Sequence, residues 1–318
     1  MAEPLKSWAE RIRAGDRRAI ARAISVIERE GQPAVPLLKS LFPYAAALVV
    51  GLTGPPGAGK STLLEKLAQR CRGKDQKVGI LAVDPTSPFS GGALLGDRIR
   101  LQALSLDNGV YIRSMATRGH LGGVAAATGG AVTVLAAAGC DTVFVETVGV
   151  GQDEVDIAVT SDITVVIVAP GMGDDVQALK AGILEIADLF VVNKADHPGA
   201  DRLEQELRSV IALAPRAGDW IPPVLQTVAT AGDGVEAVEK ALDDFRDFCE
   251  KSSMRGQRQR EKWRRWLRDT IRQRLFERWV RERRLDGLID AQVERIAHRE
   301  QDPYSAAEEL VNRFPLTR

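Results

Sequence analysis

The stretch that decides the fold is "ALVVGLTGPPGAGKSTLLEKLAQR", residues 47–70. It begins with an apolar run that favours a buried strand, and it continues into a glycine-rich loop and a helix-like segment. Glycines let such a loop turn its backbone N–H groups toward phosphate oxygens, and the N-terminus of the following helix adds partial positive charge. The pattern Gly54-x-x-x-x-Gly59-Lys60-Ser61 in this context therefore predicts a nucleoside triphosphate site, with a flexible glycine turn as the alternative.

Two side chains of this loop have predicted roles in phosphate chemistry. The Lys60 ammonium can reach the β and γ phosphates, and the Ser61 hydroxyl can be a ligand of Mg²⁺. We expect the nucleotide to contact the whole loop, whose residues are Gly54, Pro55, Pro56, Gly57, Ala58, Gly59, Lys60, Ser61 and Thr62.

Further β-branched runs lie on both sides of this loop, separated by segments that are typical of helices. Together with the first strand they read "ALVVGLTG", "KVGILAVD", "DTVFVET", "DITVVIVAP", "ADLFVVNK" and "IPPVLQTVAT". Runs that are apolar on successive residues suit strands buried on both faces of a parallel sheet, with crossover helices covering it. The predicted fold class is therefore α/β, a P-loop NTPase fold with a mostly parallel sheet flanked by helices.

Both ends of the chain are expected to be helical. Residues 1–44 have apolar positions at helical spacing and predict an N-terminal helical extension, and residues 45–249 form the predicted nucleotide-binding domain. Residues 250–318 contain no strand-like run and are expected to be a helical dimerisation or partner-contact region. An apolar stripe on one long helix, recurring every four residues, comprises Trp263, Leu267, Ile271, Leu275 and Trp279.

Charge and cysteine content limit the class of protein. Lys plus Arg and Asp plus Glu number 43 each, so the overall charge predicts neither a nucleic-acid nor a membrane partner. Residues 251–284 are strongly basic, which a nucleic-acid surface could use, but the tryptophans there share the apolar stripe, so burial against another helix is the simpler interpretation. Isolated cysteines, the charged N-terminus and the absence of a long apolar run predict a soluble cytoplasmic protein.

The segment "FVVNKAD" predicts the base. It places Asn193, Lys194 and Asp196 at the end of a buried strand. A carboxylate there can accept hydrogen bonds from N1–H and the exocyclic amine of guanine, whereas adenine would leave a buried Asp196 unpaired. We expect Asn193 to hold neighbouring loops and the Lys194 stem to lie along the base. The later segment "TVAT", residues 227–230, is the candidate for a last loop at the base edge.

The segment "TVFVETVGVGQDEVD", residues 142–156, ends a strand on the carboxylate of Glu146. In this kind of fold an acid beside the phosphate loop lies near Mg²⁺, directly or through water. Gly149 lets the backbone approach the γ phosphate, and Gln152 is the candidate for orienting the attacking water. Because Gln152 does not follow the glycine directly, we hypothesise slow intrinsic hydrolysis that a partner accelerates.

Taken together, "GPPGAGKST", "DPTSPFSGGALLGDRIR", "ETVGVGQDEVD" and "NKAD" resemble the MeaB/ArgK/MMAA family of P-loop GTPases. Members of that family are GTP-dependent chaperones of adenosylcobalamin-dependent acyl-CoA mutases. The resemblance covers roughly residues 1–290 and implies a homodimer built by the C-terminal region. It further implies that the chain gates cofactor loading and protects or reactivates its client mutase, without binding cobalamin as its own prosthetic group.

The resemblance also implies residue roles. Asp84 ends the second strand of the site, and Asp97 is a candidate Mg²⁺ or water contact, so the implied metal-site residues are Ser61, Asp84, Asp97 and Glu146. The segment "PGMGDDVQALKAG", residues 170–182, matches the third switch of the family, with Asp174 and Lys180 as its active charges. The implied catalytic set is Lys60, Asp97, Glu146, Gln152 and Lys180.

Two other functions remain open from the sequence. A metal-inserting GTPase would share Glu146-x-x-Gly149, although such proteins usually carry clustered soft ligands, and His120, His197 and His298 are scattered. A small-molecule phosphotransferase is the second, although most of these use ATP rather than GTP.

Overall fold

The computed structural model describes residues 4–29, 33–85, 102–117, 123–147, 157, 160–171, 181–213, 220–252, 254–283 and 285–313. The chain divides into two compact units, Met1–Lys262 and Trp263–Arg318. Within the described residues, no helix is both long and apolar enough to cross a membrane.

The first unit is built on a seven-stranded sheet whose strand pairs are all parallel, in the order β3-β2-β4-β1-β5-β6-β7. Four of the strands are buried almost throughout, as expected for strands covered on both faces. The predicted α/β class with a parallel sheet is confirmed. The strands are β1 (Leu48–Thr53), β2 (Val78–Pro85), β3 (Val110–Thr117), β4 (Thr142–Thr147), β5 (Ile163–Val168), β6 (Leu189–Asn193) and β7 (Val224–Thr227).

Strand β3 is absent from the sequence-based list of strands. It reads "VYIRSMAT", in which Arg113 and Ser114 interrupt the apolar run. The strand lies at the edge of the sheet, and residues 111–114 are only partly buried. An edge position tolerates polar side chains, so the apolar pattern that marks the interior strands is missing here.

Helices cover both faces of the sheet, which gives two layers of core. Leu63, Leu67 and Phe245 pack on one face with Phe144, while Leu135 packs on the other with Val143. The helices of these layers are α4 (Lys60–Gly73), α5 (Gln102–Ser105), α6 (Gly123–Ala137), α7 (Ala181–Ile186), α8 (Ala200–Leu213) and α9 (Val235–Lys251).

The N-terminal helices share the core of the sheet. They are α1 (Leu5–Arg13), α2 (Arg17–Glu28) and α3 (Ala34–Leu41). The Asp16 side chain caps α2 by accepting hydrogen bonds from the N–H groups of Arg18 (2.9 Å) and Ala19 (3.0 Å). Their apolar faces pack in the same buried cluster as Val143 and Val145 of β4. The N-terminal helices therefore form one hydrophobic layer with the sheet.

Helix α10 (Met254–Arg283) begins in the first unit and continues into the second, which also contains α11 (Asp286–Ala297) and α12 (Pro303–Arg313). Four of the five stripe residues of α10 are exposed: Trp263 by 40%, Leu267 by 53%, and Ile271 and Leu275 by 48% each. The fifth, Trp279, is partly buried. The described part of this chain therefore leaves most of the stripe uncovered.

Candidate nucleotide site

The phosphate loop connects β1 to α4 at the carboxyl edge of the sheet. Its first glycine, Gly54, has φ +138°, and a Cβ atom there would lie 1.9 Å from the carbonyl oxygen of Ile167. Gly59 has φ +90°, and a Cβ atom there would lie 2.2 Å from Nδ2 of Asn193. Both positions therefore require glycine, for backbone conformation and for space.

The Lys60 side chain lies against this loop and is buried. Its Nζ donates hydrogen bonds to the carbonyl oxygens of Gly54 (2.8 Å) and Pro55 (3.1 Å). These bonds keep a positive charge at the loop, and a nearby positive charge attracts the oxygens of a phosphate. The predicted contact with the β and γ phosphates stays a prediction.

Ser61 and Glu146 meet beside the loop. Strand β4 is the neighbour of β1, with Glu146 paired to Leu52, as expected from the sequence. Ser61 Oγ donates a hydrogen bond of 2.7 Å to Glu146 Oε1, and both residues are at most 8% exposed. A hydroxyl and a carboxylate are hard oxygen ligands, so this pair fits Mg²⁺ chemically.

Asn193 ties three loops together. Its Nδ2 donates to the carbonyl oxygen of Ala58 in the phosphate loop at 2.8 Å. Its Oδ1 accepts from Thr227 Oγ1 (3.0 Å) and from the N–H of Ala229 (3.1 Å). Both polar atoms of the side chain are thus engaged, and the residue is 2% exposed. Segment 227–230 is held next to the end of β6 by these bonds.

Asp196 lies in the loop beyond β6, and its side chain is 57% exposed. The interpretation that this carboxylate is buried is therefore wrong for the protein alone. The reason is that β6 ends at Asn193, so Asp196 faces solvent at the sheet edge. A bound base would have to cover the carboxylate before the cost of an unpaired charge could discriminate between bases. His197 is similarly exposed, by 58%, as expected for a solvated loop residue.

Several predicted residues cannot be placed. Asp97, Gly149, Gln152, Asp174 and Lys180 lie outside the described residues, as does the side chain of Asp84. The backbone of Asp84 pairs with Ala116 near the carboxyl end of β2. The structure thus brings together Lys60, Ser61, Glu146 and Asn193, and it leaves the roles of the other candidates as predictions.

A charged cluster that the sequence analysis missed supports the phosphate-loop helix. Glu239 of α9 accepts a hydrogen bond from Arg70 and lies 2.7 Å from Lys74 Nζ, while Asp243 lies 3.9 Å from that ammonium. Burial acts to raise the pKa of Glu239, but the hydrogen bonds from Lys74 and Arg70 outweigh it and hold the pKa below its usual value. Charges of opposite sign on two helices far apart in sequence form no local pattern, so no sequence signal identifies this contact.

Comparisons with known proteins agree on one family. The family model described as "Methylmalonyl Co-A mutase-associated GTPase MeaB" matches residues 20–284. A putative GTPase of Pyrococcus abyssi is 47% identical over 306 residues, which cover 95% of this chain and 94% of that protein. GTPase ArgK of Escherichia coli is 36% identical over 267 residues, or 81% of each chain.

Two further similarities extend the range of relatives. The mitochondrial protein of Mus musculus named methylmalonic aciduria type A homolog is 32% identical over 319 residues, covering 94% of this chain and 77% of that one. The crystal structure of a protein named LAO/AO transport system kinase superposes with a TM-score of 0.75 at 25% identity, and the match covers 98% of both chains.

Proposed function

This chain belongs to the MeaB family of P-loop GTPases, and on that premise we propose that it is a chaperone of an adenosylcobalamin-dependent acyl-CoA mutase. In this proposal the protein hydrolyses GTP to GDP and phosphate, and this reaction gates the loading of the cofactor. The protein also protects or reactivates the mutase. The observation that carries the proposal is the extent of the family match, residues 20–284, which includes the phosphate loop, Glu146 and the segment with Asp196.

In the proposed nucleotide cycle, the phosphate loop and Lys60 hold the phosphates, and Asp196 recognises guanine. Ser61 and Glu146 would hold Mg²⁺, together with Asp84 and Asp97, and the ion would neutralise charge on the β and γ phosphates. Gly149 would approach the γ phosphate and Gln152 would orient water. Lys180 would act from the third switch, as the resemblance implies.

We further propose that the protein is a homodimer in which a second copy covers the apolar stripe of α10. The support is the exposure of that stripe, because a row of large apolar side chains left in water favours association. In the same proposal the chain works in the cytoplasm and does not carry cobalamin as its own prosthetic group.

The test is GTP hydrolysis by the purified protein, alone and with each candidate cobalamin-dependent acyl-CoA mutase titrated in. We expect a low basal rate that rises saturably with one mutase, which would identify the client. A Lys60→Ala variant with the same mutase controls for contaminating phosphatase activity. Tight GTP binding without a response to any mutase would be consistent with the GTPase assignment but would contradict the proposed partnership with a mutase.

A further inference from the structure

Two basic side chains at the start of α10 contact the sheet at the edge opposite the nucleotide site. Lys262 Nζ donates a hydrogen bond of 2.6 Å to the carbonyl oxygen of Thr160 and lies 3.5 Å from Asp162 Oδ1. One helical turn earlier, Arg258 Nη2 donates a hydrogen bond of 2.6 Å to Asp188 Oδ1. Both contacts therefore reach the residues that directly precede β5 and β6.

Each of these contacts continues into a neighbouring strand. Asp162 exchanges two hydrogen bonds with Val49 of β1: its N–H donates to the carbonyl oxygen (2.8 Å), and its Oδ2 accepts from the N–H (3.0 Å). Asp188 Oδ2 accepts from the N–H of Thr164 in β5 at 2.9 Å. The start of α10 is thus bonded, through two carboxylates, to the strand that carries the phosphate loop and to its neighbour.

The chain just before β5, described at Ile157, Thr160 and Ser161 and called the β5 turn below, is also fixed from inside the core. Ile157 is 3% exposed, and a Cβ atom on Gly51 of β1 would lie 2.8 Å from its Cγ1 atom, so the two residues are in direct contact. The backbone N–H and the hydroxyl of Ser161 both donate to the carbonyl oxygen of Ile157, each at 2.8 Å. The β5 turn is therefore held between β1 on one side and Lys262 on the other.

Strand β5 connects the β5 turn to the phosphate loop. Its Ile167 carbonyl oxygen lies where a side chain on Gly54 would be, so the first glycine of the loop rests against β5. Glu146 of β4 pairs with Leu52 of β1 and accepts a hydrogen bond of 2.7 Å from Ser61 Oγ. The start of β5 is therefore joined to the phosphate loop by a continuous path of packed and hydrogen-bonded atoms.

The Arg258–Asp188 pair contributes little to the free energy of unfolding by itself. Asp188 is 3% exposed, and burial raises the pKa of its carboxyl, with the hydrogen bond from Arg258 acting against that shift. Desolvation of the buried Asp188 carboxylate offsets part of its attraction to Arg258, whose side chain is 46% exposed, so the pair adds little net stability. The hydrogen bonds from Arg258 and from the N–H of Thr164 do, however, hold the Asp188 carboxylate in a defined position.

We infer that Lys262 and Arg258 are positioning residues for GTP hydrolysis. They fix the start of β5 against β1. The alignment of these two strands in turn fixes the phosphate loop and the Ser61–Glu146 pair. The inference rests on the GTPase activity of the family and does not depend on a mutase partner.

The test compares Lys262→Met and Arg258→Met with wild type, without any partner present. The rate of GTP hydrolysis is divided by the concentration of sites that bind a fluorescent GDP analogue, so that unfolded molecules do not count. We expect kcat per binding site to fall about threefold to thirtyfold. KM for GTP should change less than twofold, because neither side chain lies at the nucleotide.

Two controls separate positioning from a merely structural role. Lys262→Arg keeps a long cationic donor and should restore most of kcat, whereas Lys240→Met removes a lysine that pairs with Asp244 at 2.8 Å along α9 and should match wild type. A kcat per binding site within twofold of wild type in both methionine variants would overturn the inference, even if their melting temperatures fall. Because no mutase is used, that outcome would leave the proposed chaperone function untouched.

Discussion

The phosphate-loop region and the apolar stripe of α10 differ in how far their side chains are buried and paired within one chain. At the loop, Lys60, Ser61, Glu146 and Asn193 are all at most 8% exposed, and each is hydrogen-bonded to another part of the first unit. Along α10, by contrast, the stripe residues from Trp263 to Leu275 are 40–53% exposed. A buried polar network is stable only when its members are paired, while an exposed apolar row gains free energy only when something covers it. The first region is therefore expected to work in a monomer, and the second to work by association.

The largest expected effect is at the loop. Lys60→Ala removes the buried charge at the phosphate loop, and we expect the rate of GTP hydrolysis to fall about 100-fold or more. The measurement is phosphate release at saturating GTP. Lys66→Ala on the same helix is the matched control and should stay within twofold of wild type. A Lys60→Ala variant within tenfold of wild type would contradict the role assigned to this ammonium.

The next effect separates recognition from stability. Asp196→Asn replaces a double acceptor by an amide, so we expect GTP affinity to fall about 100-fold while affinity for xanthosine triphosphate rises. Because Asp196 is exposed without the base, the free energy of unfolding should change by less than about 0.5 kcal/mol. Nucleotide titration and thermal unfolding measure the two quantities. Equal GTP affinity in the variant and wild type would exclude Asp196 as the guanine contact.

The stripe gives a smaller effect of a different kind. Leu267→Glu should raise the dimer dissociation constant about tenfold to hundredfold. Full burial of such a side chain contributes about 1.5–3 kcal/mol, Leu267 is 53% exposed before association, and each dimer contains two copies of it. Basal GTP hydrolysis per chain should stay within twofold of wild type. Sedimentation equilibrium over a concentration series is the measurement, with Gln257→Glu as a control that adds the same charge outside the stripe. Unchanged sedimentation would mean that a second copy does not cover the stripe.

The smallest effect concerns the support of the phosphate-loop helix. Glu239→Gln should lower the free energy of unfolding by about 1–2 kcal/mol at neutral pH. The folded-state pKa of Glu239 is lowered, so its contribution is present above the ordinary glutamate pKa of about 4.3 and is lost as pH falls through the folded value. Denaturant unfolding at pH 7 and in acid checks both parts. The matched variant Glu236→Gln, at a side chain that is 83% exposed, should change the free energy of unfolding by less than about 0.5 kcal/mol. A loss of stability in Glu239→Gln that does not depend on pH would contradict the ionic explanation.

The sequence by itself determined the parts of the protein that local patterns encode. Residues 47–70 contain the strand, the loop and the helix start in one continuous segment, and the largely apolar strands β1, β4, β5 and β6 are recognisable one at a time. The guanine segment at residues 193–196 and the acid at Glu146 were identified from their positions at strand ends. Each of these signals is complete within a short stretch of chain.

Only the tertiary structure decided which of these parts touch. The bonds from Ser61 to Glu146, from Asn193 to Ala58 and from Lys262 to Thr160 join residues 85, 135 and 102 positions apart. The edge strand β3 and the exposure of Asp196 were missed for a related reason, because burial depends on which neighbours the fold supplies. A hydrogen bond between distant residues leaves no periodicity in the sequence, since its geometry exists only after the sheet has brought its strands together.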